Sequence, residues 1–218
     1  MKTNKILFID LDGTLVDCQT QEEFLHFLYE KSVITLSTYF RILYYFFLYR
    51  LNLIKNSERV YSEAVGWLKN MDANLINSYA DEFFQLIKPK IFLNSTKLID
   101  QYKKMNCKVV LLSSGVDIVV SRFASFFRVD DIICTKLEVI NGFHSGKISG
   151  TAVYGDIKAK SAYEYIKKYK DNIYTIAIAD HISDIPLLRN MHESYVVNPS
   201  NKLLKLATVY KFGIIDMK

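Results

Sequence analysis

Asp10 and Asp12 leave the apolar run Ile6-Leu7-Phe8-Ile9 as alternate residues, with Gly13 and Thr14 directly after them. Two more carboxylates, Asp180 and Asp184, stand behind a second apolar run, Ile176-Ala177-Ile178-Ala179. Ser113 and Ser114 end a third, Val109-Val110-Leu111-Leu112, and two lysines, Lys158 and Lys160, lie between the last two groups. Together these side chains match what a phosphate monoester needs: an in-line nucleophile, a proton donor for the leaving alkoxide and neutralisation of charge. A carboxylate can be the nucleophile and pass through an acyl phosphate that water then hydrolyses. Several anionic oxygens beside a phosphate dianion also call for a cation, and oxygen ligands favour Mg²⁺ over zinc.

These residues must be carried to one place. Each run is four apolar residues without alternation, the pattern of a strand buried on both faces of a parallel sheet. A shorter run, Tyr195-Val196-Val197, ends in Asn198-Pro199. Each is followed by a polar turn and then helical spacing, which predicts βα units and an α/β fold with a doubly wound parallel sheet. Ligands of such sheets bind outside the carboxyl ends of the strands, where the polar residues named above stand. Residues 18–88 differ. Helix-type spacing persists with no proline until Pro89, predicting about four helices inserted after the first strand. The chain is therefore expected to divide into an α/β core, residues 1–17 and 89–218, and an all-helical insert, residues 18–88. Asn141-Gly142 between apolar-rich flanks predicts a tight hairpin.

With the organisation in view, Asp10-Leu11-Asp12-Gly13-Thr14 after a buried strand resembles the DxDGT motif of the haloacid dehalogenase-like phosphatases. Ser113 resembles the second motif of that superfamily, and Lys160 in Lys158-Ala159-Lys160 resembles the third. Asp180 and Asp184 in Ala179-Asp180-His181-Ile182-Ser183-Asp184 resemble the fourth. All four occur in order across nearly the whole chain, and the helical insert is similar to the C1 cap of subfamily IB, the phosphoserine phosphatase-like branch. The resemblance implies a Rossmannoid core, Asp10 as nucleophile and Asp12 as general acid and base. It also implies phosphate contacts from Ser113, Lys160 and the backbone near Leu11 and Ser114. Mg²⁺ would be held by the Asp10 and Asp180 side chains and the Asp12 carbonyl, with Asp184 binding a metal water or holding Lys160. Lys158 competes with Lys160, and the family pattern of a lysine opening a helix favours Lys160.

One departure bears on substrate. Phosphoserine phosphatases usually carry DxDST and a Glu seven residues after the second Asp; Gly13 and Gln19 stand at those positions here. The change removes a partner for the substrate's ammonium, so the expected substrate is another small phosphorylated metabolite, with phosphoserine as an alternative. Gln19 and the aromatic segment are the expected substrate-selecting elements.

Composition narrows the remaining choices. Only 8 Gly and 3 Pro in 218 residues exclude collagen-like and low-complexity chains. A net charge of +5, spread along the sequence, gives no footprint for a nucleic-acid partner. Cys18, Cys107 and Cys134 are odd in number with no CxxC spacing, which disfavours a disulfide scaffold and fits a cytoplasmic protein. The short apolar run near the amino terminus is unlike a signal peptide. Between Arg41 and Arg50 stand eight uncharged residues, Ile42-Leu43-Tyr44-Tyr45-Phe46-Phe47-Leu48-Tyr49. Either arginine near the centre of a spanning helix would cost about 2.5–3.5 kcal/mol, so a buried or interface-facing helix is the default. The alternative is a helix lying on an anionic membrane surface and feeding a lipid phosphate to Asp10, as in bacterial relatives acting on phosphatidylglycerophosphate. A non-catalytic phosphate- or partner-binding module is the rival of another class, but it would need only part of the set. The oligomeric state is left open by the sequence.

Overall fold

A computed structural model describes residues 4–50, 62–169 and 172–217. Residues 51–61, within the stretch expected to be helical, lie outside the described residues.

Among the described residues, seven strands form one sheet: β1 (Lys5–Ile9), β2 (Cys107–Val116), β3 (Asp131–Ile140), β4 (Phe143–Ser149), β5 (Tyr174–Ala179), β6 (Glu193–Val197) and β7 (Gly213–Ile215). Their order is β4-β3-β2-β1-β5-β6-β7, with β1 at the centre. Every neighbouring pair is parallel except β3 with β4. The turn between those two strands is Asn141-Gly142, with φ of +52° and +84°, the left-handed pair that a two-residue hairpin needs.

The apolar runs are continuous because each strand feeds two cores. Leu7, Ile9, Val109, Leu111, Ile176 and Ile178 pack on one side of the sheet, while Ile6, Phe8, Val110, Leu112, Ala177 and Ala179 pack on the other. Successive residues of a strand point to opposite faces, so burial of both faces leaves no polar alternation. The second face is covered by α6 (Asp156–Ile166), α7 (Ile185–Leu188) and α8 (Asn201–Tyr210).

The other face carries α4 (Ser95–Lys104), α5 (Asp117–Phe127) and the helices that follow β1: α1 (Thr20–Glu30), α2 (Leu36–Arg50) and α3 (Ala73–Ile87). Phe24, Leu28, Ile76 and Phe83 from these helices share one apolar cluster with Val119, Phe123 and the sheet. The two chain segments that enter and leave them pair with one another: Asp17 N–H donates to the Lys90 carbonyl (2.8 Å) and Phe92 N–H to the Leu15 carbonyl (3.1 Å). Two further ties reach α3 and the residues just before it. Arg122 of α5 donates to Asp81 Oδ1 (2.9 Å), Asn77 Oδ1 (2.9 Å) and the Asn77 carbonyl (2.9 Å) on α3. Beside it, residues 70–73 bond the β3–β4 hairpin, through Asn70 N–H to the His144 carbonyl (2.8 Å) and Ala73 N–H to the Gly142 carbonyl (2.9 Å).

Candidate active site

Asp10 is the first residue past β1, and its N–H still donates to the Ile178 carbonyl of β5 (3.0 Å). The chain then turns tightly: the Leu11 carbonyl accepts from Thr14, Leu15 and Val16 N–H groups at 3.2, 2.8 and 3.2 Å. Gly13 is essential to that turn for two reasons. Its φ is +73°, and a Cβ there would lie 2.1 Å from Asp180 Oδ2, so any side chain would displace the carboxylate. The turn sends Asp12 toward α1, where its Oδ1 accepts the Thr20 N–H at 2.7 Å. Thr20 opens that helix, so Asp12 satisfies an otherwise unpaired first-turn donor.

Register explains why three remote segments meet. Ile9 pairs with Leu111 on one side and Ile178 on the other, so Leu11 comes level with Ser113 and Asp180 across strands spaced about 4.8 Å apart. Thr14 Oγ1 donates to Asp180 Oδ1 (3.2 Å). Ser113 is buried, and its Oγ accepts the Gly115 N–H (3.0 Å); the hydroxyl proton is left for another acceptor. The pairing of β2 with β3 shifts register between Leu112 and Val116, and β2 runs on through Val116 where the sequence predicts a turn at Ser113-Ser114-Gly115.

The lysine differs from expectation. Lys158 is 2% exposed, with Nζ at 2.9 Å from Asp10 Oδ1 and at 3.0 and 3.1 Å from the two oxygens of Asp184. Lys160 is exposed. The reason is helical phase. α6 opens at Asp156, so Lys158 lies in its first turn and faces the carboxylates. Two residues are about 200° of helical rotation, which turns Lys160 to the opposite side. Gly155-Asp156 was the available signal, a positive-φ glycine before an acidic first-turn residue.

Asp184 holds Lys158 rather than Lys160. It is joined to Asp180 through a 3₁₀ turn, Ile182–Asp184. His181 is exposed and caps that turn by accepting the Ser183 N–H (3.2 Å). Gln19 is exposed just ahead of α1, while Gln21 points into an apolar cavity between the inserted helices and β2.

Four carboxylates thus stand against one ammonium. Burial pushes Asp10 well above the usual carboxylate range; Lys158 opposes this, and Asp184, Asp180 and Asp12 add to it. Burial likewise raises Asp12, countered by the Thr20 N–H. Asp180 is pushed up to about 6, by burial first and by the Asp184 charge second. Burial works against the Lys158 ammonium, but Asp10 and Asp184 outweigh it and hold the charge on.

This donor set fits a hard divalent cation. Its atoms are carboxylate oxygens with excess negative charge, and Gly13 keeps open the space beside Asp180 that a Cβ would fill. Among the described residues, no three His, Cys, Asp or Glu side chains form a ready cage. Mg²⁺ does not require one, since it is commonly held by one or two carboxylates with water and phosphate oxygens.

Fold and site define an α/β protein that gathers acidic residues and one lysine at the carboxyl ends of central parallel strands. It belongs to the haloacid dehalogenase-like hydrolase family, whose model matches residues 7–189. The chain is 30% identical over 112 residues to a phosphoserine phosphatase of Streptococcus thermophilus, covering 50% of this chain and 52% of that one. It is 22% identical to a probable phosphatase of Mycobacterium tuberculosis over 96% of this chain and 74% of that one. The chain spans about half the length of the phosphoserine phosphatases it matches. A Bordetella pertussis protein of unknown function shares the fold, with a TM-score of 0.90 over 100% of both chains at 19% identity.

Proposed function

We propose that the chain hydrolyses phosphomonoesters of small phosphorylated molecules through an aspartyl-phosphate on Asp10, with residues 18–88 acting as a cap over the core formed by 1–17 and 89–218. The observation that carries this reading is the contact of Lys158 with both Asp10 and Asp184 at the mouth of β1. Lys158 holds Asp10 Oδ1, which leaves Oδ2 to attack phosphorus in line as the bond to the leaving oxygen breaks. Asp12 uses Oδ1 to accept the Thr20 N–H, so its proton sits on Oδ2 and passes to the leaving alkoxide. Burial favours that protonated form. Water then attacks the aspartyl-phosphate, its proton goes to Asp12, and the bond between phosphorus and Asp10 breaks. Ser113 donates to a phosphoryl oxygen and backbone N–H groups near Leu11 and Ser114 complete the cradle. Asp10, Asp180 and the Asp12 carbonyl would hold Mg²⁺, whose charge lowers the carboxyl pKa values and balances the phosphate dianion.

The free thiols Cys18, Cys107 and Cys134 support a reducing, cytoplasmic setting. Among the described residues no helix is long and apolar enough to cross a membrane. The test is phosphate release from p-nitrophenyl phosphate with and without Mg²⁺. Asp10→Asn should lose activity by roughly 10⁴-fold or more while keeping its far-UV circular dichroism. Retention of Mg²⁺-dependent turnover in that variant would sink the nucleophile assignment.

A further inference from the structure

The cavity entered by Gln21 is built almost wholly from hydrocarbon. Among the described residues, Phe24, Ile42, Phe46, Trp67 and Val116 line it and Gln21 is its polar member; it is half open to its surroundings, with a volume of about 50 Å³. Among the described residues, none of its lining side chains is charged. Its position relates it to the reaction. Gln21 follows Thr20, the residue bonded to Asp12, and Val116 closes the strand that carries Ser113. The cavity thus shares α1 and β2 with the site: its lining begins one residue after Thr20 and three residues after Ser113. A single water occupies roughly 10–15 Å³ on this measure, so the space suits a short run of carbon atoms.

Burial decides what such a space accepts. The leaving group of phosphoserine carries an ammonium and a carboxylate, and placing either against this lining without partners costs several kcal/mol. An alkyl chain gains from the same transfer. α2 adds an independent feature, since it is apolar on both sides. Ile42 and Phe46 face the cavity, whereas Phe40, Tyr44 and Phe47 are each more than half exposed on the outside.

We propose that the site prefers phosphomonoesters whose leaving group is an aliphatic chain, received between α1, α2 and the end of β2. This rests on the phosphatase reading above. The experiment measures kcat/KM for methyl, butyl and hexyl phosphate and for phosphoserine. Hexyl phosphate should exceed methyl phosphate by about tenfold or more, and phosphoserine should fall below butyl phosphate. Two variants locate the effect. Ala64→Phe narrows the lining and Gln21→Glu charges it, and both should collapse the hexyl-to-methyl ratio toward one. A parallel assay with hexadecyl phosphate in phosphatidylcholine vesicles separates a bilayer source of the chain from a dissolved one. Hydrolysis of methyl phosphate with no gain along the series, or a preference for phosphoserine, overturns the inference and leaves the phosphatase reading standing. Failure to hydrolyse any of the esters with Mg²⁺ present removes the phosphatase reading itself.

Discussion

The mouth of β1 and the cavity behind α1 have opposite chemistry. At the first, Asp10 and Asp184 are buried and share Lys158, with Asp12 and Asp180 beside them. At the second, aromatic and aliphatic side chains surround Gln21. The first region is determined by strand register, so its members move little without breaking the sheet. The second depends on how α1, α2 and residues 64–68 pack against the end of β2 and the start of α5. On the proposed reading, the chemical step and the choice of substrate fall to different side chains, so each can be tested by its own substitutions. Loops and insertions on a rigid scaffold commonly take the second role.

The largest expected effect separates the two lysines. Lys158→Met should lower kcat by about 10²- to 10³-fold and destabilise the fold by about 3 kcal/mol or more, since it leaves buried carboxylates unpaired. Lys160→Met should change stability by no more than about 0.5 kcal/mol and leave turnover intact. Parallel kinetics and urea titrations of the two variants check this, and the reverse ranking would show that the helix sits in another phase.

A middle-sized effect concerns the cation. Mg²⁺ at roughly one hundred times its Kd should add about 2.7 kcal/mol of stability, which in a chain of this size raises Tm by roughly 5–10 °C. Asp180→Asn should shrink that rise, while a cavity variant such as Ala64→Phe should keep it. Thermal scans with EDTA and with Mg²⁺ read the difference; an equal loss in both variants would merge the two regions into one.

The smallest effect lies where residues 70–73 meet the β3–β4 hairpin. His144 on β4 is buried, neither ring nitrogen has a hydrogen-bond partner among the described residues, and its backbone bonds Asn70 and Met71. Burial holds its imidazole below the ordinary value of 6.5, with Asp117 opposing. The unfolded chain takes up this proton more readily than the folded one. Stability is therefore full above about pH 6.5 and is lost as the pH falls, by at most about 1.4 kcal/mol per pH unit. His144→Leu should flatten the fall in Tm between pH 7.5 and 5.5; an unchanged slope would place the titrating group elsewhere.

Much of this was open to reading from the sequence, and for one physical reason. A strand buried on both faces appears as an uninterrupted apolar run, and the first polar residues after it mark the carboxyl end of the sheet. Asp10, Asp12, Ser113 and Asp180 could be placed by that rule alone, as could the doubly wound sheet and the Asn141-Gly142 turn. What the tertiary structure decided is angular and non-local. Each residue of a helix advances the side chain by about 100°, so one or two residues in the start of α6 choose between Lys158 and Lys160. The same phase turns Gln21, not Gln19, into the cavity. That Phe24, Phe46, Trp67 and Val116 form one lining depends on segments far apart in the chain closing on each other, and apolar spacing specifies only that each must be buried, not against what.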